Sequence, residues 1–262
     1  MITIIIPIHK FTVETKKIFH ERTLSSLEKF IREDTKIMIV CPNGVKEQIT
    51  TDLDIEYVIN EGTTDFQSQI NLGAKSTTTE YFSVLEFDDT LPNSAYLDTA
   101  KQYITKSPDV SVFMPICGQV EDRNGEICFV TFSNVNSFSK MYFLKEKENP
   151  EIYKKYGKID FEFMESYENI SIDGCIIKTS DFISLGGLKK SIDIAFNFEF
   201  FLRLASQNKK IVIIPKLGYA HLIDRKDSLF DIFETTKTKN DIANSVELAK
   251  KEYHFTYERE LV

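Results

Sequence analysis

"EYFSVLEFDDTLPNSAYL", residues 80–97, decides the fold class. Tyr81, Phe82, Val84, Leu85 and Phe87 form the apolar, aromatic run of a buried strand. The same stretch carries Glu86, Asp88 and Asp89, then a turn containing Pro92. Three neighbouring carboxylates repel one another and resist desolvation. They are tolerable where a strand leaves a sheet and meets a ligand. Alternation along an extended strand would set Glu86 and Asp88 on one face, about 7 Å apart. Such a pair suits a divalent cation, or one shared with substrate phosphates, as Mg2+ or Mn2+ is commonly held. The bland alternative is a solvated turn whose Asp and Asn residues only bend the chain. The place of the cluster after a central apolar run favours the metal.

Working outward, residues 2–6 are continuously apolar and β-branched, as in a strand covered on both faces. Phe19, Leu24, Leu27, Phe30 and Ile31 mark one side of a helix over about 14–32. "KIMIV" (36–40) and "IEYVI" (55–59) predict two more strands, the first closed by "CPNG", and a helix is expected around 66–76. After the opening stretch, "NSAYLDTAKQYITKS" predicts a helix with Asn and Ser at its start. Alternating strands and helices over the first 107 residues imply a parallel sheet with right-handed crossovers. Ligands of such sheets bind beyond the carboxyl ends of the strands, where Glu86 and Asp88 are expected.

Farther on, Asn124-Gly125 between apolar runs predicts an antiparallel hairpin. Residues 140–170 read as a helical insertion or a loop over the site. A strand in "SIDGCIIK", a short helix, "LGG", the helix "FNFEFFLRLASQ" (196–207) and the strand "KIVIIP" (210–215) complete the pattern. The tail from 228 reads as mainly helical.

With 262 residues, 42% hydrophobic and 27% charged, the chain has the composition of an ordinary globular protein. A net charge of −8 disfavours a general grip on nucleic acid. Cys41, Cys117, Cys128 and Cys175 are too scattered for a zinc site or a disulfide framework. The apolar start is too short for a membrane span and lacks signal-peptide features. A cytoplasmic protein without a transmembrane segment is expected.

Several of these stretches together resemble the GT-A fold glycosyltransferases, especially the family 2-like group. The resemblance covers about residues 2–222. "ITIIIPIHK" is similar to the family's first strand, which ends in Pro before residues that touch the nucleotide. "NLGAKSTTTEYFSVLEFDD" resembles its Asn-x-Gly helix, strand and acidic Asp-x-Asp motif, here Glu86-Phe87-Asp88. "ISIDGCIIKTSDFISLGGL", "FNFEFFLRLASQNKKIVIIP" and "YAHL" resemble the acceptor-side strand, the base-carrying helix and a late His near the metal or diphosphate.

The resemblance implies an α/β sandwich with a mainly parallel central sheet: 1–222 as the transferase domain, split into a donor half (1–107) and an acceptor half (108–222), and 223–262 as a helical extension. It implies metal-dependent transfer of a sugar from a nucleotide-diphosphate sugar, such as a UDP-sugar, to an acceptor hydroxyl of a glycan, glycolipid or other molecule, with inversion. Pro7, His9, Asn43, Asn71, Glu86, Asp88 and Arg225 would contact the donor; Asp88, Glu86 and His221 would hold Mn2+ or Mg2+.

Two departures stand out. The turn "VCPNG" lacks the family's base-reading Asp, so Asn43 or backbone groups would serve there. The base helix has Phe196 and Asn197 where Glu-Asp is usual, and Asn cannot take a proton from a hydroxyl at neutral pH. Glu199 and Asp193 are then the candidate bases. Glu199 could equally pair with Arg203 one turn away. His221 could be a satisfied core or surface histidine, and Arg225 and Lys226 a solvated loop rather than cations for the diphosphate. Asp173 suits either a turn or an acceptor hydroxyl. The rivals are a binding module that has lost catalysis and a transferase acting on modified DNA. A nucleotidyltransferase is disfavoured because no Gly-rich phosphate loop follows the first strand.

Overall fold

Ile2–Pro7 (β1) is buried along its whole length, as its unbroken apolar run requires. It pairs in parallel with Thr35–Cys41 (β2) on one side and Tyr81–Val84 (β4) on the other. Ile55–Ile59 (β3) extends the parallel set beyond β2. The computed structural model describes residues 1–123, 126–132, 164, 170–192, 194–223 and 237–259. In it, Val110–Arg123 (β5), Glu126–Phe132 (β6), Ile176–Lys178 (β7) and Lys210–Leu222 (β8) complete one mixed sheet, ordered β3-β2-β1-β4-β7-β5-β6 with β8 also paired to β5. The short β7 runs antiparallel to both β4 and β5, and β8 is parallel to β5. The expected mainly parallel α/β sheet is thus present, with one antiparallel strand at its centre.

Helices cover both faces. On one lie Val13–Ile18 (α1), a π-helical turn Phe19–Leu24, Ser25–Phe30 (α2) and Ala95–Lys106 (α4). Phe19, Leu24, Leu27, Tyr96, Leu97 and Ala100 pack there against Ile2, Ile4 and Ile6. The other face holds Phe66–Ser76 (α3), Thr179–Ser184 (α5) and Phe196–Ser206 (α6), with Phe66, Ile70, Phe182, Phe198 and Phe200 against Ile5, Phe82 and Val84. Pleat alternation therefore sends the two sides of β1 into separate cores. Lys239–Arg259 (α7), within the expected tail, adds Val246 and Ala249 to the α6 side.

Local chemistry explains the element ends. Thr12 and Thr15 form a reciprocal capping box at α1, and Asp65 accepts the Ser68 amide at 2.8 Å to cap α3. Gly73 lets α3 lie directly on the sheet, since a Cβ there would sit 2.7 Å from Ile5 Cγ2.

Three expectations need correction. The acidic stretch is not strand: β4 ends at Val84, and Glu86–Asp89 form a turn in which the Asp89 amide donates to the Glu86 carbonyl at 3.2 Å. The alternation that would separate Glu86 and Asp88 therefore does not apply. The last strand does not end at Pro215 but runs to Leu222; register shifts on β5 around Ile116 accommodate the proline, which has no amide to donate. Of the Asn and Ser expected at the start of α4, Asn93 does accept the Ala95 amide, at 2.9 Å, but Ser94 offers no side-chain cap. The hairpin strands pair through Arg123 and Glu126, while the turn Asn124-Gly125 and most of 140–170 lie outside the described residues.

Candidate functional site

Parallel pairing of β2, β1 and β4 brings their carboxyl ends side by side. Pro7 ends β1 and His9 follows it, Asn43 stands exposed in the turn after β2, and Glu86–Asp89 follow β4. The Leu85 amide donates to the Ile5 carbonyl at 3.0 Å, carrying the β1–β4 alignment past the strand end. His9 packs edge-on against Phe87, with ring centroids 5.1 Å apart. Pro7, His9, Glu86 and Asp88 thus gather at the carboxyl ends of β1 and β4, with Asn43 on the neighbouring turn.

In the acidic turn, ligand atoms of Glu86, Asp88 and Asp89 lie within 4.8 Å of one another. Asp88 is 2% and Asp89 0% exposed, while Glu86 is half-buried. Asp89 has dedicated partners: the Tyr219 hydroxyl and His221 Nδ1 (2.9 Å) donate to Oδ2, and the Leu222 amide donates to Oδ1 at 2.8 Å. Backbone bonds between Thr90 and Ala220, 3.1 and 3.0 Å, tie the same turn to β8. From the opposite side, Thr23 Oγ1 in the π-helical turn donates to the carbonyls of Phe87 and Asp89, both at 2.8 Å.

The hard carboxylate oxygens of Glu86 and Asp88 fit a Mn2+ or Mg2+ ion, whose charge would relieve the repulsion within the turn. His221 joins the cluster, but its Nδ1 faces Asp89, so only Nε2 is available to a metal or diphosphate. Burial opposes the imidazolium charge, yet Asp89, Asp173 and Asp88 outweigh it and push the pKa up to about 9.

Asp173 adjoins the group through a bridge to Val84, and the Gly174 amide donates to the Val84 carbonyl at 2.8 Å. Burial raises its carboxyl to about 6, with Asp89 adding to the shift and Ser171 and His221 opposing it. Its Oδ2 accepts the Ser171 hydroxyl; its buried Oδ1 has no hydrogen-bond partner.

Two expected site residues are engaged elsewhere. Asn71 Nδ2 donates to the Leu188 carbonyl and its Oδ1 accepts the Leu188 amide, both at 2.8 Å. Its amide therefore holds the Gly186–Leu188 turn and is not turned to a donor. Glu199 is 0% exposed, and its carboxylate pairs with Arg203 at 2.8 Å and Lys189 at 3.1 Å. Arg203 also donates to the carbonyls of Leu185 and Gly187. A carboxylate so placed offers no face to an acceptor hydroxyl, and the ion-pair reading of Glu199 accounts for its geometry. Asp193 and Arg225 lie outside the described residues.

Sequence reading missed Thr23 and Tyr219 and gave Asp89 no partner. Thr23 carries no motif, and Tyr219 shows only its neighbour His221 in "YAHL".

No protein-family model matches this sequence, and no curated protein does. Solved structures do match in shape. S. aureus TarS 1–349 in complex with UDP-GlcNAc superposes with a TM-score of 0.62 at 13% identity, covering 95% of this chain and 65% of that one. The complex with UDP gives 0.59 at 14%, covering 95% and 64%. TarS 1–349 without a named ligand gives 0.57 at 14%, covering 99% and 73%. This chain spans less than two thirds of the first two TarS chains. The likeness establishes the fold, the GT-A sandwich that the sequence resemblance implied.

Proposed function

We propose that the chain is a glycosyltransferase of the hexosyltransferase type, taking a sugar from a UDP-sugar to an acceptor hydroxyl with inversion. The observation that carries this reading is the convergence of three parallel strand ends on the Glu86–Asp89 turn, in a fold shared with a protein crystallised with UDP-GlcNAc. Pro7, His9 and Asn43 lie at the strand ends where the nucleotide would bind. Glu86 and Asp88 would hold a Mn2+ or Mg2+ ion, which supplies charge neutralisation for the diphosphate when bound. His221 Nε2, with Arg225 and Lys226 after it in sequence, serves the same developing charge.

Asp173 Oδ1 is a buried acceptor in search of a donor, and the acceptor hydroxyl supplies one. Asp193, the remaining expected base, takes the proton of that hydroxyl as the sugar–oxygen bond forms and the nucleoside diphosphate leaves.

Calorimetry with UDP and UDP-GlcNAc, with and without Mn2+, tests the reading. Binding that needs Mn2+ and vanishes in Asp88→Asn is expected; equal affinity in the variant would remove Asp88 from the donor site. A second reading, a binding module without catalysis, is favoured by Asn197, whose Oδ1 is buried without a hydrogen bond where the base would stand. Donor binding with neither transfer nor hydrolysis would decide for it. Among the described residues, no helix is long and apolar enough to cross a membrane.

A further inference from the structure

We propose that Asp89 and Thr23 are positioning residues that set the spacing of Glu86 and Asp88, and that Asp89 is not itself a metal ligand. The inference rests on the donor-site reading above. Three carboxylates lie close enough to share a cation, but they are not equivalent. Asp89 accepts from Tyr219, His221 and the Leu222 amide, so both of its oxygens are committed to β8. A cation drawn to Asp89 would compete with three hydrogen bonds at a fully buried carboxylate. The cation is left to Glu86, Asp88 and the ligand's own phosphates.

Thr23 grips the turn from the far side. In a regular helix a threonine hydroxyl commonly bonds back to a carbonyl of the preceding turn. Here it lies in a π-helical turn, a local widening often found at functional sites, and donates across the core to Phe87 and Asp89. Ser26 extends the contact: its hydroxyl donates to the Thr23 carbonyl at 2.8 Å and accepts the Leu91 amide at 3.1 Å. Glu86–Asp89 is thereby held at its carbonyls by the π-helical turn and at its buried carboxylate by β8. Glu86 and Asp88 inherit their separation from these two grips, and neither grip uses their own oxygens.

The test is Mn2+ affinity in the presence of UDP, read from the electron paramagnetic resonance of free Mn2+ on folded protein. Thr23→Val keeps the shape and removes the donor, and is expected to weaken Mn2+ about tenfold, the scale of one lost buried hydrogen bond. Thr23→Ser restores the donor and is expected to bind as the wild type does. Asp89→Asn is expected to weaken Mn2+ comparably without abolishing it, whereas Asp88→Asn abolishes it. A purely structural role would lower the melting temperature of Thr23→Val yet leave the Mn2+ affinity of the folded protein unchanged, which overturns the proposal. Loss in Asp89→Asn as complete as in Asp88→Asn makes Asp89 a ligand and overturns it too. Wild-type protein that binds neither Mn2+ nor UDP overturns the donor-site reading and this proposal with it. Wild-type binding with unaffected variants overturns only the latter.

Discussion

Glu199→Gln separates the two readings of the buried carboxylate on α6. The substitution keeps the shape of the side chain and removes its charge. Arg203 then loses its 2.8 Å ionic partner and Lys189 its 3.1 Å one. Removing one member of a buried pair typically costs about 3–5 kcal/mol, because the survivor stays in low dielectric without compensation. Here Arg203 keeps the carbonyls of Leu185 and Gly187, and Lys189, 29% exposed at its side chain, can turn to water. The loss is therefore set lower, at about 2–3 kcal/mol, or roughly 4–12 °C in melting temperature for a chain of this size. Urea unfolding of wild type and variant at neutral pH measures it, with turnover of a UDP-sugar assayed on the same samples. The expected pair of results is a clear loss of stability and near-normal turnover below the new melting point. An unchanged unfolding midpoint with turnover lowered roughly a hundredfold, the scale of a missing general base, would refute the ion-pair assignment.

Two further perturbations test neighbouring features. Gly187→Ala is expected to destabilise the protein by at least about 1–3 kcal/mol, because Gly187 has φ +70 and an added Cβ would lie 2.3 Å from Asn71 Oδ1; thermal unfolding checks it. His221 has a folded pKa near 9, above its unfolded value of about 6.5, so the fold favours the imidazolium. In metal-chelated protein, the stability of wild type over His221→Gln is then full below about pH 6.5 and lost as pH rises through about 9, which a pH series of unfolding midpoints reads out.

Much of the first half of the chain was legible because its signals are local. The runs at 2–6, 36–40 and 55–59 each became a strand, and α3 spans the expected 66–76, since continuous or periodic apolar patterns state their own burial. The ends were less legible. Phe87 is as apolar as Phe82, so nothing in composition says that β4 stops at Val84; the stop comes from the turn bond between Asp89 and Glu86 and from the hold of Thr23. Partners were the least legible. Glu199 and Arg203 stand four residues apart and could be paired on paper, but Lys189 and the Gly-Gly turn reach them only through the packing of α6. His221 meets Asp89 across 132 positions, and no spacing rule connects them.

That long reach bears on how the protein folds. Strands β1 to β4 can assemble from near neighbours, but the acidic turn is fastened by residues of β8, 130 to 133 positions later. Closing a loop of that length costs about 2 kcal/mol more chain entropy than closing one a tenth as long, and the cost falls before the fastening bonds repay it. A nascent chain that has emerged only through β7 thus carries every carboxylate of the turn without the strand that holds Asp89. The fixed geometry of the turn arrives with β8, the last of the described strands, which makes it a property of the finished fold and not of its first half.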